Sequence, residues 1–176
     1  MDSRPTSSAT VAGTSPLVVE VVPFTHPEVQ RLVDEVQAHY VELYGGPDES
    51  PVDPHEFDAP HGCFLLGTVD GVGTAMGGWR RRPEVDALFG GAAVAELKRM
   101  YVAPAGRRRG HARTVLAALE ATARERGIEL LALETGTVQT AAIALYEANG
   151  YTPCARFGHY AESELARHLG KDLRAS

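Results

Sequence analysis

Residues 94–116 read Val94-Ala95-Glu96-Leu97-Lys98-Arg99-Met100-Tyr101-Val102-Ala103-Pro104-Ala105-Gly106-Arg107-Arg108-Arg109-Gly110-His111-Ala112-Arg113-Thr114-Val115-Leu116. The first third places Leu97, Met100 and Val102 among charged residues, with β-branched and aromatic ends, which suits a strand better than a helix. Pro104 stops that strand, because proline has no N–H to give to a ladder. Ala105 to Gly110 are small or cationic. After Gly110 the apolar spacing changes to Ala112, Val115, Leu116, Leu119 and Ala123, the three-to-four repeat of an amphipathic helix. A strand therefore feeds a Gly/Arg loop, and the loop feeds a helix. The first turn of a helix leaves backbone N–H groups unpaired and carries the positive end of the helix dipole, so it suits phosphate. Gly110 allows close approach of an anion, and Arg107, Arg108 and Arg109 can add charge-assisted bonds. The loop reads as a pyrophosphate holder.

Two common pyrophosphate loops do not fit. A Walker loop needs a second glycine followed by Lys and Ser/Thr, which is absent, and a Rossmann fingerprint needs three glycines where only Gly110 stands at the turn. An ordinary helix start with a solvated arginine run is the plain alternative, so the rest of the chain has to decide.

The 176 residues suffice for one domain with a substantial core, and 44% hydrophobic and 23% charged residues are ordinary globular values. Seventeen Lys and Arg stand against 23 acids, a formal charge of −6, which disfavours nucleic acid as the main ligand and makes the arginine triplet a local feature. No apolar run is long enough to span a membrane and no apolar segment follows the amino-terminal charges as in a signal peptide, so no membrane partner is expected. Two cysteines, Cys63 and Cys154, fit a reduced, cytoplasmic protein. The seven histidines have no metal-ligand spacing, so no metal is expected. His111 reads as a solvated loop residue, and His55 and His61 as surface residues.

Working outward, residues 1–16 are Ser, Thr, Ala and Pro with almost nothing to bury and read as a disordered segment. The domain proper is expected over 17–176. Leu17 to Val22 is a β-branched run ended by Pro23. From Pro27 to Tyr44 the positions Val29, Leu32, Val33, Val36, Tyr40, Leu43 and Tyr44 share one helical face, closed by Gly45-Gly46-Pro47. The segment from Gly45 to Gly62 carries Asp48, Glu49, Asp53, Glu56 and Asp58. Its plain reading is a solvated loop with a short helix near Pro54 to Phe57; its sharper reading is a wall beside a substrate. Cys63 to Val69 and Val72 to Arg80, separated by Asp70-Gly71, read as a hairpin. Residues 83–92 read as a loop. Gly127 ends the second helix, Ile128 to Thr135 reads as a strand, and Val138 to Asn149 as a helix closed by Gly150. Tyr151 to Phe157 and Leu165 to Leu173 are the expected last strands.

Arg107, Gly110 and Ala112 fill the Arg/Gln, two residues, Gly, one residue, Gly/Ala pattern of the acetyl-CoA loop of the GNAT superfamily of acyl-CoA-dependent N-acyltransferases. A second stretch, Gln139-Thr140-Ala141-Ala142-Ile143-Ala144-Leu145-Tyr146-Glu147-Ala148-Asn149-Gly150-Tyr151, resembles that family's later motif, with Gln139 where Asn is usual. The two motifs stand in the right order, and the resemblance covers about residues 17–173. It implies an α/β (α+β) fold: a mixed, mostly antiparallel sheet of six to seven strands with helices on both faces.

The resemblance also implies acetyl-CoA as co-substrate and direct transfer of acetyl to a primary amine of a small molecule or protein. Tyr146 would be the general acid on the departing thiolate, and Glu96 the base on the central strand, acting through water. An ion pair with Arg80 or Lys98 is the alternative reading of Glu96, and a core aromatic that of Tyr146. A backbone N–H of Met100, Tyr101 or Val102 would serve the oxyanion, with the pantetheine arm along the same strand. Arg107, Arg108, Arg109, Gly110, His111, Ala112, Arg113 and Gln139 would hold the rest of the CoA. The alternative from another class is a GNAT-like domain that binds acyl-CoA or an effector without turnover. Acids in the 48–58 loop favour a cationic acceptor, Arg80 to Arg82 an anionic one, and a homodimer is among the assemblies left open.

Overall fold

The computed structural model describes residues 15–174, so the expectation for residues 1–16 falls almost wholly outside the described residues. Among the described residues seven strands form one sheet: β1 (Val18–Val21), β2 (Gly62–Val69), β3 (Val72–Arg81), β4 (Val94–Val102), β5 (Leu130–Gly136), β6 (Thr152–Pro153) and β7 (Ala166–Asp172). Their spatial order is β1-β2-β3-β4-β5-β7-β6, with every neighbouring pair antiparallel except the parallel pair β4 and β5. Helices α1 (Pro27–Tyr44), α2 (His111–Glu125) and α3 (Thr140–Ala148) complete the layers.

Strand periodicity sorts the core. On one face Ala75, Trp79, Ala95, Leu97, Leu131 and Leu133 pack with Val115, Leu116 and Leu119 of α2 and with Tyr146 of α3. On the other, Phe64, Leu66 and Met76 meet Val29, Leu32 and Val36 of α1. Successive strand residues point to opposite faces, so one run of sequence feeds both layers. Trp79 is fully buried, and its indole N–H donates to Thr122 Oγ1 at 2.9 Å, which satisfies the one polar atom it brings inside.

Local signals fix the joints. Pro27 lies in the first turn of α1, and Gly45 ends that helix at φ 77°. Asp70 and Gly71 both take positive φ, 52° and 78°, as a two-residue hairpin turn requires. Three expectations need correction. Residues 83–89 form a short 3-10 segment rather than a plain loop. Leu43 is 42% exposed, because α1 runs past the edge of its apolar contact before it ends. The strand expected over Tyr151 to Phe157 is only Thr152–Pro153. Pro153 cannot donate, and the chain then leaves the sheet to bury Phe157 against Val94 and Ala132 before returning as β7.

Candidate active site

β4 and β5 pair only at Val94–Leu130, Ala95–Leu131 and Glu96–Ala132. Beyond Glu96 they diverge, although β4 continues to Val102 and β5 to Gly136. A bulge in β4 lies just past the last pair. Met76 pairs with Tyr101 and Gly78 with Lys98, so Arg99 and Met100 together face Gly77. Arg99 takes φ 57° there. Gly77 leaves room for Met100, since a Cβ on it would lie 2.4 Å from Met100 Sδ and the methionine would have to move.

The wedge between the strands opens into two cavities. The larger, about 350 Å³, lies between the end of α1, the segment after it, β5 and the start of β7. The smaller, about 70 Å³, reaches Leu97, Met100, Ala142 and Tyr146 on the α2 and α3 side. Tyr40, Asp48, Lys98, Glu134, Thr135 and Gln139 line both, so the two are continuous through the gap in the sheet.

Tyr146 stands where that gap meets α3. The residue is 6% exposed, packs edge-on to Tyr151 with centroids 5.5 Å apart, and lines the smaller cavity. Among the described residues its hydroxyl makes no hydrogen bond, and burial pushes the phenol above its ordinary value, with Tyr40 adding to the rise. Tyr146 is thus part of the core and at the cavity at once.

The loop before α2 has the shape of an anion cradle. Gly110 caps the helix at φ 79° with no side chain to cover the first-turn N–H groups, and a Cβ there would meet nothing within 4 Å. Arg107, Arg108, Arg109 and Arg113 are exposed around it, with Arg108 also at positive φ, 61°. Arg107 Nε donates to Val102 O at 3.2 Å, tying the loop to the end of β4. Ala112 is half-buried. His111 departs from the solvated reading: it is 7% exposed, with Nδ1 buried and unpartnered in a pocket that a Cβ on Gly106 would crowd at 3.0 Å. His111 packs inward at the start of α2 although its neighbours Arg109, Gly110 and Arg113 are exposed, which sequence spacing alone did not signal.

Along β4, Met100 lines the smaller cavity, whereas Tyr101 packs toward α1 and Val102 toward α2. Gln139 precedes α3 and donates from Nε2 to Tyr44 Oη at 2.9 Å, joining the end of α1 to the start of α3.

Glu96 has the neighbours of its ion-pair reading. It is 1% exposed; Oε2 accepts from Arg80 Nε at 2.9 Å and from Arg82, and Lys98 Nζ lies 3.7 Å from Oε1. It lines neither cavity. The carboxylate that does is Glu134, which sequence reasoning passed over. Its side chain is 6% exposed, neither oxygen has a hydrogen-bond partner among the described residues, and Lys98 Nζ and His168 Nε2 lie 3.7 and 3.6 Å away. Burial raises its carboxyl above the ordinary value against the pull of Lys98. A signal was present: Glu134 interrupts an otherwise apolar stretch, Leu130 to Leu133, near the end of its strand.

The acidic segment is more than a solvated loop. Asp48 and Glu49 line the larger cavity, and Asp48 Oδ1 accepts from Tyr160 Oη at 3.0 Å. Ser50 Oγ accepts from Lys98 Nζ at 2.9 Å, and Glu56 pairs with Arg80 at 2.5 Å. His55 and His61 are exposed as expected, and Cys63 and Cys154 are free thiols. Among the described residues no group of three or more His, Cys, Asp or Glu could hold a metal ion, and no helix is long and apolar enough to cross a membrane.

A sheet split beside its central strand, with an uncapped helix start on one side and a cavity on the other, defines an acyltransferase of the GNAT type. Residues 30–151 match the Acetyltransferase (GNAT) family, and the chain belongs to it. A protein of Azospirillum brasilense named IAA acetyltransferase is 31% identical over 170 residues, covering 94% of this chain and 99% of that protein. A Klebsiella pneumoniae structure, provisionally named an acyl-CoA N-acyltransferase, is 30% identical with a TM-score of 0.72, covering 89% of this chain and 97% of that one. A Salmonella typhimurium protein solved with acetyl-CoA shares the fold at 17% identity and a TM-score of 0.61, over 90% and 95% of the two chains.

Proposed function

We propose that the protein is an acetyl-CoA-dependent N-acetyltransferase that moves acetyl directly to a primary amine. The observation that carries this reading is the wedge between β4 and β5, where Glu134 and Tyr146 line one cavity. Past Glu96 the backbone of β4 has no partner on its β5 side, which leaves it free to bond a pantetheine arm as an added strand would. The pyrophosphate then falls at the N-terminus of α2, among Arg107, Arg108, Arg109, Gly110 and the N–H groups of the first turn, His111 to Arg113.

Chemistry proceeds in the gap. The amine arrives as ammonium and gives a proton to Glu134, whose raised affinity for protons brings it nearer the operating pH than an ordinary glutamate. Glu96, held by two arginines, keeps Arg80 and Arg82 in place instead. The free amine attacks the thioester carbonyl carbon, forming the C–N bond, and the oxyanion accepts from a backbone N–H of Met100 to Val102. Collapse breaks the C–S bond, Tyr146 gives its proton to the leaving thiolate, and the surplus proton on the new amide nitrogen returns through water to the tyrosinate.

Calorimetry with acetyl-CoA, paired with CoA release across a panel of amines, tests the reading. Binding with turnover of at least one amine supports it. Binding without turnover of any would identify a domain that holds acyl-CoA without using it.

A further inference from the structure

The walls of the larger cavity indicate what kind of amine enters, an inference that rests on the N-acetyltransferase reading. The sequence alone gives opposed cues, acids at 48–58 and arginines at 80–82, and their partners separate the two. Arg80 is bound by Glu96 and Glu56, Arg81 by Asp86, and Arg82 by Glu84 and Glu96. None of the three lines the cavity. An acceptor carboxylate or phosphate in the larger cavity therefore finds none of these three to pair with, and Arg99, which lines the smaller cavity, is already paired with Asp48.

The lining itself is acidic. Asp48, Glu49 and Glu134 contribute three carboxylates against one ammonium, Lys98. Lys98 is already engaged: its Nζ donates to Ser50 Oγ at 2.9 Å and lies 3.7 Å from both Glu96 and Glu134. Asp48 is matched by Arg99 at 2.8 Å. Glu134 differs, because its side chain is 94% buried in the shared wall and, among the described residues, neither oxygen accepts a hydrogen bond, with Lys98 Nζ and His168 Nε2 held off at 3.7 and 3.6 Å. A buried acceptor with unused lone pairs is costly unless something donates to it, and an ammonium does so best.

Three tyrosines also stand in the wall. Tyr40 and Tyr44 present rings 6.2 Å apart, and Tyr160 is pinned across from them by its bond to Asp48. Such rings offer apolar area and electron-rich faces to a cation.

The geometry points to an acceptor that is a cationic primary amine on an uncharged, aromatic or branched body, with no carboxylate beside the nitrogen. It is a decarboxylated amine, in place of an amino acid or an acidic amine.

Binding probes separate this inference from the chemistry it rests on. Benzyltrimethylammonium, a cation that cannot be acetylated, is expected to bind the acetyl-CoA-loaded protein at least tenfold tighter by calorimetry than 3-phenylpropionate, about 1.4 kcal/mol. In turnover, 2-phenylethylamine should exceed phenylalanine at least tenfold in kcat/KM, with phenylalaninamide recovering most of the difference. Glu49→Lys, at an exposed position on the rim, should narrow the gap between 2-phenylethylamine and phenylalanine. Equal binding of the two probes, or equal turnover of 2-phenylethylamine and phenylalanine, would overturn the inference and leave the transferase reading intact. Faster turnover of a peptide amine than of any free amine would also overturn it. Tight binding of the cation with no turnover of any amine would support the site and defeat the transferase reading.

Discussion

Arg99 and Asp48 meet at 2.8 Å across the mouth of the wedge, the arginine at the bulge of the central strand and the aspartate in the segment after the first helix. The pair joins the irregularity that opens the sheet to the wall that encloses the opening. Arg99 is 6% exposed in its side chain and Asp48 18%, so neither charge is well solvated. Asp48 also accepts from Ser50 N at 2.9 Å and from Tyr160, and so holds three segments to one point.

Asp48→Ala should therefore cost stability and acceptor affinity together. It leaves Arg99 buried without its partner, a loss of about 3 kcal/mol for a pair of this kind. The wall carrying Tyr160 should loosen, raising KM for the amine while acetyl-CoA affinity stays near parental. Thermal unfolding and steady-state kinetics check both; an unchanged amine KM would remove the segment from the acceptor site.

Gly110→Glu should abolish most acetyl-CoA binding. The position is at φ 79°, where a side chain strains the backbone, and the new carboxylate would face the pyrophosphate. Gly110→Ala carries the backbone strain without the charge, and should lose less affinity. Calorimetry on both variants separates the two effects; equal losses would mean that backbone shape, and not charge, governs the loop.

Much of this arrangement was legible in the sequence where the signal is local. Pro27, the apolar spacing of Val29, Leu32 and Val36, and Gly45 gave α1 its bounds, and Asp70-Gly71 gave the hairpin. The strand, loop and helix around Gly110 were equally plain. The wedge was not legible, because its cause is tertiary: Arg99 reads as one more polar strand residue until Gly77 is known to face it. Glu96 and Glu134 illustrate the same limit. Both sit in strand-like sequence, and only the close pairing of Glu96 with Arg80 and Arg82 distinguishes it from Glu134, whose oxygens accept no hydrogen bond among the described residues. His111, next to three exposed arginines, turns inward for packing reasons that no neighbour in sequence carries.

The two glutamates should respond differently to neutralisation. Burial raises the Glu134 carboxyl above its unfolded value, so its contribution to stability is full below the ordinary glutamate range and is lost as pH rises through the raised value. In kcat/KM the same titration appears as a rising limb above the ordinary glutamate range. Glu134→Gln should erase that limb, lower turnover at neutral pH and flatten the decline of Tm with pH. Glu96→Gln should keep the limb and instead lower stability by about 3–5 kcal/mol, because Arg80 and Arg82 lose their shared carboxylate. If the limb follows Glu96 and not Glu134, the base assignment is reversed.

Tyr146→Phe deletes one hydroxyl and keeps the ring that packs on Tyr151. If that hydroxyl protonates the departing thiolate, its loss acts on the transition state and leaves ground-state binding alone. Acetyl-CoA affinity should stay near parental while kcat falls by about 10²- to 10⁴-fold, the range for a lost general acid. Because the hydroxyl makes no hydrogen bond among the described residues, removing it strands no protein partner, and Tm should hardly change. A tyrosine present only for packing predicts near-normal turnover instead. Measuring Tm, acetyl-CoA affinity and kcat on this one variant separates the two roles, and kcat within a few-fold of parental would take Tyr146 out of the mechanism.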